Sequence, residues 1–145
     1  SSYAANIATM VIYIVWNALP FKILILLGGL QSVNKQYYDA AKVDGTSRAR
    51  TLWRITVPLL SPMIAYVVIT GFIGGFKEYT SIVGIFGEKM GPADDPYRLN
   101  TMVGLIYNLI ESNQGKAAAG ALILFAIIFA VTLINLQVSK KKVHY

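Results

Sequence analysis

The sequence holds no cysteine and a single histidine in 145 residues. That removes disulfide frameworks, thiol catalysis and cysteine-based zinc clusters. No His, Asp and Glu set has metal-ligand spacing. No Ser, His and Asp set pairs a nucleophile with a base, so no catalytic residue and no metal site are assigned. His144 stands alone in the tail and is not read as a ligand. Charge is scarce as well: 14% of residues are charged, against about 25% in an ordinary soluble domain. Too few charges remain to cover a water-facing surface. The same scarcity excludes a disordered chain, which needs high charge and low hydrophobicity. An initiator Met is also lacking. The chain opens Ser1-Ser2 and runs directly into apolar sequence, as a piece of something longer does.

What is present is apolar. Hydrophobic residues make up 55%, and the mean hydropathy is +0.54. A helix needs about 20 apolar residues to cross the hydrocarbon core. Three runs meet that need, at residues 7–30, 59–86 and 117–138. Backbone polar groups in lipid must bond within their own segment, so the runs are read as helices. The expected fold is an all-α integral membrane domain with three transmembrane helices.

The net charge of +6 is not that of a nucleic-acid binder, because it is not a stripe on a soluble surface. Lys35, Lys42, Arg48, Arg50 and Arg54 lie in the loop 31–58, and Lys140, Lys141 and Lys142 form a tail. The segment 87–115 carries Lys89 and Arg98 against Glu88, Asp94, Asp95 and Glu111. Basic loops stay cytoplasmic. The loop 31–58 and the C-terminus are therefore expected inside, and the segment 87–115 outside. Within that segment, Leu99, Met102, Val103, Ile106, Leu109 and Ile110 recur at helical spacing. They predict a short external amphipathic helix.

The cytoplasmic loop has an order that charge does not explain. Good helix formers lead to Asp44-Gly45, where Gly can turn the chain through the left-handed region. Asp44, Thr46 or Ser47 can cap a second short helix. Pro58 suits the first turn of the next span and biases Val57 toward extended backbone. The expectation is helix, corner, helix, then membrane. Ala40 and Ala41 offer a bare patch, and Val43, Leu52 and Trp53 offer apolar anchors beside Arg side chains. Such a surface suits a protein partner.

The stretch Asp39-Ala40-Ala41, Asp44-Gly45-Thr46 and Ile55-Thr56-Val57-Pro58 resembles the EAA loop of permease subunits in ATP-binding-cassette (ABC) importers. It departs from the family pattern at Asp39 for Glu, Thr46 for Ala and Val57 for Leu. Trp16-Asn17-Ala18-Leu19-Pro20-Phe21, Leu26-Leu27-Gly28-Gly29-Leu30-Gln31 and Gly115-Lys116-Ala117-Ala118-Ala119-Gly120-Ala121 also look like spans of carbohydrate importers. The likeness is to the MalF-like member of the maltose-type pair and covers essentially the whole chain. It implies the C-terminal half of a permease of the MetI-like type I importer fold, in a bacterial cytoplasmic membrane. It further implies that the loop docks on a cytoplasmic ATPase subunit. Asp39 would pair with a basic residue there, Ala40 and Ala41 would allow close fit, and Asp44-Gly45 would set the corner. Val43, Leu52 and Trp53 would pack. A second permease and an external or periplasmic substrate-binding protein complete the implied assembly. The sequence has no Gly-x-x-x-x-Gly-Lys-Ser/Thr phosphate loop, so no cofactor is expected on this chain. ATP and Mg would belong to the partner ATPase. The stretch from Glu88 to Pro96 and the helix after it would receive the binding protein.

Lys77 and Glu78 sit inside the second apolar run. Charges at mid-bilayer cost about 2.5–3.5 kcal/mol on insertion scales and usually face protein or water. Phe72, Gly75, Phe76 and Tyr79 share a helical face near Glu78. Aromatic faces and a carboxylate suit a sugar, so Phe72, Gly75, Phe76, Glu78 and Tyr79 are candidates for the substrate pathway. The plainer alternative is that Lys77 and Glu78 pair with neighbouring helices or snorkel to the interface. Lys22, two residues after Pro20, faces either the pathway or an absent part of the protein. The leading function is sugar or oligosaccharide import. The alternatives are another solute, such as glycerol-phosphate, a polyamine or a peptide, and a small scaffold with no transport role.

Overall fold

A computed structural model describes residues 2–142. His144 lies outside the described residues. Those residues contain eight α-helices, one π-helical turn and no strand. Helix α1 covers Tyr3–Ser32, α2 Lys35–Val43 and α3 Arg48–Thr51. The π-helical turn Leu52–Thr56 and α4, Val57–Leu59, follow. Then come α5, Ser61–Phe76, α6, Thr80–Phe86, α7, Met102–Ile110, and α8, Gln114–Lys142.

Helices α1 and α8 have 30 and 29 residues. At 1.5 Å per residue each exceeds the roughly 30 Å hydrocarbon core. Most of their apolar side chains point outward: Ile12, Trp16, Phe21 and Leu24 on α1 and Leu122, Phe125 and Ile134 on α8 are exposed. A helix apolar on every face needs lipid or other protein around it. Helix α1 runs through Pro20, which removes the bond its N–H would have given to Trp16.

The second apolar run departs from expectation. Residues 59–86 are not one helix. Helix α5 has 16 residues and is too short to cross alone. It is bent by 67° from the helical stretch Arg48–Leu59, and the described residues hold three candidate spans only when that bent pair is taken as one. At its other end the helix stops at Phe76, and residues 77–79 lie outside regular helix. The sequence supplies the cause. Gly74 and Gly75 weaken the last turn, and the Glu78 side chain then starts α6 by accepting a bond from Ser81 N at 3.2 Å.

The chain forms two compact units. One takes the chain up to Ala18 together with Gly71–Leu133. Its core holds Met10, Ile82, Met90 and Leu99, with Ile14, Tyr79, Val83 and Phe86 packed against it. Met90 is 1% exposed. Burying a side chain of this kind contributes about 1.5–3 kcal/mol. Met90 adopts φ +49° to enter the core. Two backbone bonds hold its loop closed, Tyr97 N to Lys89 O at 2.7 Å and Leu99 N to Met90 O at 2.9 Å. Gly104 on α7 makes room, since a Cβ there would collide with the Met90 sulfur and the Asn100 side chain. Thr101 caps α7 by accepting from Gly104 N at 3.2 Å.

The other unit takes Leu19–Thr70 together with the chain from Ile134 onward. Here Gly29 of α1 lies against Leu60 and Met63, where a Cβ would come within 2.9 Å of both side chains. Small size at that position lets the segments approach.

Candidate functional site

The loop between α1 and α5 is built from caps and one corner. Asn34 caps α2, its side chain accepting from Gln36 N at 2.9 Å. Helix α2 ends as Asp44 N donates to Ala40 O, Gly45 N to Lys42 O and Thr46 N to Ala41 O. Gly45 then takes φ +64°. A side chain there would be strained, costing about 1–2 kcal/mol. Ser47 caps α3 by accepting from Arg50 N at 3.4 Å. Helix, corner and helix are thus arranged as the sequence predicts.

Val57 differs from its expectation. It is helical at φ −62° and ψ −46°, not extended. Its N–H reaches back to Leu52 O, closing the π-helical turn. The wider turn gives the Pro58 ring space that an ordinary α-turn would deny it. The Tyr38 hydroxyl ties α2 to this turn through Thr56 Oγ1 at 3.1 Å, satisfying a buried polar group.

All eight predicted coupling residues fall in one unit. Asp39, Ala40, Asp44 and Gly45 are exposed. Val43 is 87% exposed, Trp53 69% and Leu52 47%. Ala41 is the exception. It is buried, because consecutive helical positions point about 100° apart. Only Ala40 leaves its methyl exposed, while Ala41 is buried and its carbonyl accepts from Thr46 N at the corner. Arg48, Arg50 and Arg54 are exposed beside the apolar side chains.

The five candidate pathway residues all fall in the other unit. Phe72, Gly75 and Phe76 are exposed near the end of α5. Glu78 and Tyr79 are half-buried and have partners within the chain. The Glu78 carboxylate lies at the N-terminus of α6, where the helix dipole favours negative charge. Its carbonyl accepts from Thr101 Oγ1 at 2.9 Å. Tyr79 stacks on Tyr107 with centroids 4.5 Å apart and planes 5° from parallel, a pairing worth about 0.5–1.5 kcal/mol. The Glu78 carbonyl and the Tyr79 ring therefore hold α7 to the helix break, while the Glu78 carboxylate serves α6. Lys77 is exposed and Lys22 half-buried.

In the segment 87–115, Arg98 pairs with Asp95 at 3.1 Å and lies over the Tyr3 ring at 4.9 Å. A backbone hydrogen bond at its own residue is the main cause holding the exposed Asp94 carboxyl below its usual range. Among the described residues no group of three or more His, Asp or Glu side chains gathers to hold a metal.

Sequence reasoning missed Asn34, Tyr38, Met90, Thr101 and Tyr107. Thr101 could have been found, as a capping residue directly before an apolar periodic run. Tyr107 could not, because its partner lies 28 positions away in sequence.

Apolar helices of spanning length, joined by an exposed helix–corner–helix loop, define a membrane protein. The chain belongs to the family described as binding-protein-dependent transport system inner membrane component, which matches residues 2–144. It is 33% identical over 132 residues to the arabinooligosaccharides transport system permease protein AraP of Bacillus subtilis, covering 90% of this chain and 41% of that one. It is 34% identical over 131 residues to the multiple sugar-binding transport system permease protein MsmF of Streptococcus mutans, covering 88% and 43%. It is 30% identical over 139 residues to the sn-glycerol-3-phosphate transport system permease protein UgpA of Brucella abortus, covering 94% and 46%. The chain therefore spans less than half the length of these relatives. No solved structure matches it.

Proposed function

We propose that this chain is the C-terminal part of a permease subunit in an ABC importer that carries a sugar or oligosaccharide inward. One observation carries the coupling part of this reading. The Gly45 corner presents Val43, Leu52 and Trp53 to the surroundings, with Asp39 and three Arg side chains beside them. Large exposed apolar groups rimmed by charge mark a protein contact. The partner is a cytoplasmic ATPase, which supplies ATP and Mg, since this chain has no phosphate loop. The loop and the C-terminal tail face the cytoplasm by their charge. A second permease completes the pathway, with Phe72, Gly75, Phe76, Glu78 and Tyr79 lining it. The external segment receives a substrate-binding protein. This chain performs no chemistry of its own.

The test uses the full-length subunit reconstituted with its partners. Gly45→Val should cut sugar uptake at least tenfold while ATP hydrolysis persists. Normal uptake by that variant would count against the coupling role. A second cargo deserves its own arm, because one of the relatives is named for sn-glycerol-3-phosphate. Labelled sugar and labelled glycerol-phosphate, offered in parallel, separate the two.

A further inference from the structure

The second unit carries a cleft of about 660 Å³ that the coupling role does not use. That volume lies within the usual range for small-molecule sites. Pro58, Val68 and Val138 give it apolar walls, while Ser61, Ser139 and Lys141 stand where α5 begins and α8 ends. The Ser61 hydroxyl is enclosed and has no hydrogen-bond partner in the chain. An unmet hydroxyl in an apolar setting is costly. Lys141 is exposed, and Lys140 adjoins it. The cleft therefore combines an apolar wall, an unanswered hydroxyl and positive charge, in a chain of a membrane family.

We infer that this cleft holds an anionic phospholipid. Lys141 meets the phosphate, Ser61 and Ser139 donate to headgroup or ester oxygens, and the walls take the upper part of an acyl chain. Basic pockets between membrane helices recognise acidic headgroups in this way. The inference rests on membrane location and is independent of the coupling role.

The full-length protein is placed in vesicles of phosphatidylcholine alone, or mixed with phosphatidylglycerol. Each lipid in turn carries a photoreactive group on its acyl chain. Phosphatidylglycerol should label the peptides containing 57–68 and 135–141 about fivefold more than phosphatidylcholine. Lys141→Gln, at an exposed position that leaves packing intact, should abolish that preference, and Ser61→Ala should lower it. Equal labelling by the two lipids would overturn the inference. So would a preference untouched by both substitutions, or cross-linking of the cleft to another protein segment in place of lipid.

Discussion

The connection after α6 and the connection after α1 are both turn-rich, and they end in opposite conditions. The first folds back on its own unit. Met90 is driven into the core through an unfavourable φ, two backbone bonds close the loop, and Gly104 leaves the space. The second spends its hydrogen bonds on a corner and leaves Val43, Leu52 and Trp53 bare. Exposed apolar surface forgoes about 25 cal/mol per Å². The self-closed connection maintains the unit that contains it. The open one leaves its apolar surface uncovered, which is the feature the proposed coupling role uses.

Substitutions can break this contrast. Met90→Ala should cost the most, about 2–5 kcal/mol of stability, read as a lowered thermal midpoint of the solubilised protein. An unchanged midpoint would mean that the loop does not anchor the unit. Trp53→Ala should leave the midpoint within about 0.5 kcal/mol. Yet it should weaken capture of the ATPase at least tenfold, about 1.4 kcal/mol. A loss of stability with capture intact would reverse the contrast. Tyr38→Phe removes the bond to Thr56 and should cost about 0.5–1.5 kcal/mol, with faster amide exchange in residues 52–56. Asp95→Asn should change least. Its pair with Arg98 is exposed on both sides and contributes about 0–1 kcal/mol, so the midpoint should hold at moderate salt.

The open connection was far more legible in the sequence than the closed one. Asp44-Gly45 followed by Ser47 states a corner and a cap in four residues, because turn chemistry is local. The helix break at 77–79 was hidden because the apolar run continues to Phe86, and periodicity cannot register a carboxylate turned into a cap. Ala41 was misjudged for a related reason. Composition makes Ala40 and Ala41 equivalent, whereas helical rotation sends one outward and one inward. Val57 was placed in extended backbone by a rule about prolines that the π-helical turn circumvents. Met90 and Tyr107 depend on contacts between distant positions, which no local pattern encodes.

The π-helical turn at Leu52–Thr56 also sets a phase. Its extra residue advances everything after it by about 100° relative to an uninterrupted α-helix. The outward direction of Leu52 and Trp53 is therefore chosen separately from the direction in which the first part of α5 aims Tyr66. Deleting one residue within the turn would let it relax to an α-turn. The two surfaces would both survive, and the angle between them would change.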